Sequence, residues 1–189
     1  MPRPTRWLAA GLFALIAWAA PASPAAEGPR IRDVKIAIAG GEILLSFRLE
    51  DGLTSDVRER IESGLPTSLV YDLELMRDRK HWWDRGVESS RLEVIAMYNA
   101  VTREYLVNTK HDGRLIGSRT VREVEELDRV MTEFIGFPAF APGVDPSRDR
   151  YLVRVRVDLG AGSILGFIPV QRASSWIESN KVRFQTPSG

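Results

Sequence analysis

A two-residue rhythm governs this chain. In YLVRVRVDL (151–159), Tyr151, Val153, Val155, Val157 and Leu159 take every second position, while Arg154, Arg156 and Asp158 fill most of the places between. Successive side chains of an extended backbone point to opposite faces, so such a stretch buries one face and wets the other. EILLSFRLE (42–50) repeats the pattern with Ile43, Leu45, Phe47 and Leu49, and SLVYDLELM (68–76) with Leu69, Tyr71, Leu73 and Leu75. Weaker alternation runs over 31–38, 91–98, 104–109 and 181–185. Gly40-Gly41, the short NAVT (99–102) and Asp112-Gly113 lie between these runs. Glycine and Asp-Gly pairs accept the positive φ of tight hairpins, so the strands are expected to pair antiparallel.

Two segments have helical spacing. TSDVRERIESG (54–64) begins with Thr54 or Ser55 as cap, places Val57 and Ile61 four apart and ends on Gly64. TVREVEELDRVMTEF (120–134) sets Thr120 three residues before Glu123, the pattern of a capping box, and aligns Val124, Leu127, Val130, Met131 and Phe134 in one stripe. The whole predicts a mainly β fold: an antiparallel β-sandwich, immunoglobulin-like in architecture, with two short helices in the connections. The competing arrangement is an α+β fold, a single curved antiparallel sheet with both helices on one face.

The N-terminus reads as an export signal. Arg3 and Arg6 precede LAAGLFALIAWAA (8–20), and PASPAAEG follows. Positive start, apolar core and small-residue exit are the order of a secretory signal, with cleavage expected after Ala22 or Ala25. The apolar run is shorter than the roughly 18 residues a bilayer span needs. An uncleaved N-terminal anchor is the competing reading. Residues 30–186 are expected to form a single β-rich domain in the periplasm, not itself membrane-spanning after cleavage. The chain has no cysteine, which excludes disulfides, thiolate metal sites, cysteine nucleophiles and a lipid-anchored N-terminus. Without Arg3 and Arg6 the basic and acidic side chains nearly balance, so no bulk charge directs the protein to nucleic acid.

Reactive groups are sparse. RDRKHWWDRGVESS (77–90) holds His81, Trp82, Trp83 and Asp84. His81 as general base with Asp84 orienting it would need both on one side, and residues three apart on a strand face opposite ways. The stretch is therefore read as the aromatic end of a hairpin, one ring packing back and the other free for contact. His111 beside Asp112-Gly113 is expected at an exposed turn. H-E-x-x-H and G-x-S-x-G are absent, DPSRDR (145–150) lacks the order of a calcium loop, and GAGSILG (160–166) lacks the residues of a phosphate loop. No cofactor or metal is expected. Asp72 and Glu74, two apart on an outward face, are an available but ordinary carboxylate pair. FIGFPAFAPG (134–143) and LGFIPV (165–170) read as apolar loops. Loops run over the surface, so Phe137, Phe140, Phe167 and Ile168 either cap the sandwich or form an interaction surface with Trp82 and Trp83.

Four blocks carry a resemblance: FRLEDGLTSDVRERIESGLPTSLVYDLEL (47–75), HWWDR (81–85), YNAVTREYLV (98–107) and SSWIESNKVRF (174–184). Over about residues 30–186 the chain resembles the uncharacterised bacterial exported-protein family known as domain of unknown function 4390. The resemblance implies no activity and no site residue; it implies an accessory role at the envelope, beside membrane sensor kinases. The expectation is thus a non-enzymatic periplasmic domain that binds an envelope or inner-membrane protein. The alternatives are a carrier or sensor of a small apolar molecule held between the sheets and, third, a carboxylate-based hydrolase.

Overall fold

The computed structural model describes residues 28–78, 85–140, 150–164 and 168–183. Among these residues eleven strands and two helices follow in the order β1 (Arg30–Ala39), β2 (Glu42–Glu50), α1 (Ser55–Glu62), β3 (Thr67–Asp78), β4 (Arg85–Asn99), β5 (Glu104–His111), β6 (Arg114–Val121), α2 (Val124–Thr132), β7 (Glu133–Phe140), β8 (Arg150–Ile164), β9 (Ile168–Ala173), β10 (Ile177–Glu178) and β11 (Val182–Arg183). The pairings are antiparallel and build two sheets. The smaller runs β1-β2-β7. The larger runs β10-β8-β3-β4-β5-β6, with β9 and β11 also on β8.

The alternation decides which face is dry. Leu69, Tyr71, Leu73 and Leu75 of β3 are fully buried, as are Val153, Val155 and Val157 of β8, Leu92, Val94 and Ala96 of β4, and Leu45 of β2. They form one continuous core together with Ile61 of α1 and Leu127 and Met131 of α2. Phe47 from the small sheet and Tyr71 from the large one meet edge to face at 5.1 Å, and Phe134 stacks on Phe47 at 4.8 Å. These rings join the sheets, an arrangement that adds to their burial alone. The Tyr71 hydroxyl donates to the Met131 carbonyl at 2.7 Å, which pins α2 onto the core. Burial pushes that hydroxyl well above its ordinary titration range, and Asp128 adds to the shift.

Turn chemistry behaves as expected at Gly40-Gly41 (φ 60° and 85°) and at Asp112-Gly113 (φ 47° and 78°), the left-handed pairs that two-residue hairpins require. Thr54 caps α1, accepting from the Val57 amide. Three expectations fail. The second helix starts at Val124, not Thr120: Thr120 lies in β6 opposite Leu106, so the capping box does not form. The FIGFPAF stretch is strand β7 rather than loop, pairing Phe137 with Leu45 and Phe140 with Ile43. Its alternation is broken by Gly136 at φ 62° and its pairing by register shifts, and Pro138 is tolerated because β7 is an edge strand. Residues 168–170 of LGFIPV likewise belong to a strand, β9.

Candidate functional site

The expected interaction residues scatter. Trp82, Trp83 and Phe167 lie outside the described residues. The strands flanking the tryptophans are antiparallel partners down to Arg77 opposite Arg85, as a hairpin requires. Ile168 pairs with Ile164 at the start of β9. Phe140 offers no contact surface: it is 2% exposed and belongs to the core. Phe137 is half-buried, with its ring 4.9 Å from the imidazole of His111. An exposed patch built on Phe137 and Phe140 is therefore not what this end of the molecule presents.

His111 is not the exposed turn residue that its neighbours suggested. It pairs with Leu92 across the ladder, which puts its ring on the core-facing side, and its side chain is only 23% exposed. Its Nε2 lies 2.6 Å from Ser90 Oγ and 3.5 Å from Asp112 Oδ2. Serine, histidine and aspartate are thus together, yet their order is wrong for acyl transfer. A nucleophilic triad needs serine on one ring nitrogen and carboxylate on the other, so that a proton taken at one is stabilised through the ring. Here both approach Nε2, Ser90 is buried, and Asp112 Oδ1 already accepts the Arg91 amide at 2.7 Å. The cluster closes the β5–β6 turn against β4.

On the outer face of the large sheet, Asp72 accepts from Arg91 Nη2 at 3.0 Å and Arg156 Nη2 at 2.8 Å, and Glu74 accepts from Arg154 Nε at 2.7 Å. Trp176 lies over both Arg154 and Arg156, 4.7 and 4.6 Å from its ring centroid. These carboxylates are held by arginines directly across the ladder, an arrangement that fixes charge rather than moves protons. Among the described residues, no group of three or more acidic, histidine or cysteine side chains could hold a metal.

The two long sides of the sandwich are finished differently. Along β8 the outer edge is occupied in turn by β11, β10 and β9. Where that ladder is interrupted, side chains continue it. Ser179 exchanges hydrogen bonds with the Val153 backbone through its amide and its hydroxyl, and Ser174 does the same with Val157. The amide of Asn180 then reaches the small sheet, donating to the Ile36 carbonyl and accepting its N–H at 3.2 and 2.8 Å. This seam is closed.

Among the described residues the opposite seam is open. β6 ends the large sheet and β7 ends the small one. Residues 114–120 of β6 are all exposed, Leu115 by 61% and Ile116 by 53%, although a strand of this length usually buries one face. Between β6 and α2 runs an open groove of about 450 Å³, lined on one side by Ile116, Gly117 and Arg119 and on the other by Glu126, Val130 and Phe134. A β-bulge shapes the rim. Lys110 faces Leu115 and Thr109 faces Gly117, so Ile116 is the extra residue. Sequence reasoning missed this strand because RLIGSRTV has arginine and glycine where a half-buried strand carries apolar residues, and because the bulge shifts what alternation it has. The Asp112-Gly113 hairpin signal, which demands a strand after it, could have found it.

No curated protein and no solved structure shows significant similarity to the chain. The model of the family described as Domain of unknown function (DUF4390) matches residues 26–162, the stretch that contains β1 to β7 and most of β8, and the chain belongs to that family.

Proposed function

We propose that this protein is a non-enzymatic binding domain that works on the periplasmic side of the cell envelope and docks another protein along its open seam. The proposed setting, an accessory role beside a membrane sensor kinase, is the one the family resemblance implies. The observation that carries the reading is the β6 margin, unpaired among the described residues, with Leu115 and Ile116 exposed beside a groove, while the other margin is closed by side chains as well as strands. Proteins usually blunt or cover a free strand edge, and a free edge is a ready template for another chain.

The competing readings draw less support. A carrier of an apolar molecule needs space between the sheets, where Phe47, Tyr71 and Phe134 already touch. A hydrolase needs acids free to exchange protons, and Asp72 and Glu74 are each engaged by arginine. The test is crosslinking in living cells with a photoreactive residue at Ile116, and at Val101 as a more exposed control on the β4–β5 turn. A heterologous envelope protein joined at Ile116 and absent at Val101 is expected. Adducts at neither position, or the same adducts at both, defeat the proposal. Recovery of the protein from the periplasmic fraction, beginning after Ala22 or Ala25, checks the location.

A further inference from the structure

The open seam also carries information about its occupant. We infer that it takes an extended, acidic segment of the partner, which adds to β6 as one more strand of the large sheet and lays an apolar side chain in the groove. This rests on the reading that the protein binds another protein at that seam.

The backbone supplies the first argument. Among the described residues nothing pairs with the far edge of β6, so its outward N–H and C=O groups can hydrogen-bond an incoming strand. Charge supplies the second. RLIGSRTVR (114–122) carries Arg114, Arg119 and Arg122 and no acid. Arg122 is engaged, its Nη2 2.7 Å from Glu104. The side chains of Arg114 and Arg119 are exposed and have no hydrogen-bond or ion-pair partner among the described residues.

Register supplies the third. Arg119 stands opposite the buried Val107, Gly117 opposite Thr109 and Arg114 opposite His111, so all three share the core-facing side. The bulge at Ile116 makes this possible, because residues five apart on a regular strand would face opposite ways. Two free guanidinium groups therefore flank an apolar position on the groove side. The far wall carries Glu126 and Glu133 beside Arg129, so the partner's acids are admitted along β6 and its apolar side chain lies over Val130 and Phe134. A second copy of this chain does not fit: antiparallel pairing of β6 with itself would bring Arg114 and Arg119 from each copy into one seam with no acid on either strand. The charges that blunt self-association leave an acidic strand admissible.

The test uses the processed full chain purified from the periplasm and three fluorescein-labelled eight-residue peptides, alternating valine with glutamate, with lysine or with serine. The glutamate peptide is expected to bind at least about tenfold more tightly than either other, and more weakly as salt is raised. Bound peptide should protect β6 amides from hydrogen exchange and leave β10 and β11 unchanged. Arg114→Glu with Arg119→Glu should remove the preference. The Gln pair should weaken it by less, and unchanged thermal melting shows that both variants are folded. Equal binding of the three peptides, no binding by any, protection away from β6, or dimerisation of the protein through β6 would overturn the inference. A partner caught at Ile116 in cells without a preference for the acidic peptide would overturn it alone and leave the binding proposal standing.

Discussion

The seam beside β8 and the seam beside β6 are made from the same material and reach opposite ends. At the first, a short irregular segment closes the gap between the sheets, with Ser174, Ser179 and Asn180 supplying hydrogen bonds where strands stop. At the second, an eight-residue strand carries arginines, exposed apolar side chains and, among the described residues, no neighbour on its far edge. The difference teaches that covering an edge does not require another long strand. Between short strands, three small polar side chains within seven residues suffice where the backbone passes close, so a margin unpaired among the described residues is a feature to be explained.

Four substitutions probe this contrast. The largest effect is expected in the interior that both seams enclose. Tyr71→Ala removes a ring packed against Phe47 and Phe134 and leaves the Met131 carbonyl unpaired, a loss of about 3–5 kcal/mol by denaturant unfolding. At the closed seam, Asn180→Ala strips the partners from both backbone groups of Ile36 and should cost about 1–3 kcal/mol. A loss no larger than a surface substitution produces would mean that this seam is closed by strand pairing alone, and the contrast would break.

A smaller effect is expected at Asp128, on the helix beside the open seam. Burial raises its carboxyl above the ordinary range, Arg58 lowers it in part, and Asp51 raises it again. A folded pKa above the unfolded one means that the fold favours the protonated acid. That contribution is complete below the ordinary carboxylate range and is lost as pH rises through the raised value. Asp128→Asn should therefore raise the melting temperature at pH 7, with the gain shrinking as pH falls towards about 4. A gain independent of pH would assign the effect to something other than ionisation. The smallest effect sharpens the comparison most: Leu115→Ser at the open seam should shift stability by within about 0.5 kcal/mol while reducing capture at Ile116 in cells.

Much of the architecture was legible in the residues, and the reason is physical. Where one face is buried and one is wet, alternation records it, as in Tyr151 to Leu159 and Leu69 to Leu75, and those runs became central strands. The seams were not legible for the same reason. β6 is wet on nearly all its length, so it leaves no rhythm. β7 carries Gly136 and Pro138, which read as loop chemistry and are tolerated only because the strand lies at an edge. His111 beside Asp-Gly looked like an exposed turn, yet the turn is tight enough that its first flanking residue already belongs to the ladder and faces Phe137. The serine and asparagine side chains of 174–180 gave no signal, since hydrogen bonding to a distant backbone leaves no periodic trace.

The bulge on β6 has one last consequence. Remove Ile116 from the count and every other pairing between β5 and β6 stays where it is: Arg114 across from His111, Leu115 from Lys110, Gly117 from Thr109. The hairpin could close one residue shorter without moving a neighbour. Few positions allow a chain to be shortened by one residue in a strand with its alignment kept, and a deletion made there would separate what the architecture demands from what its rim is used for.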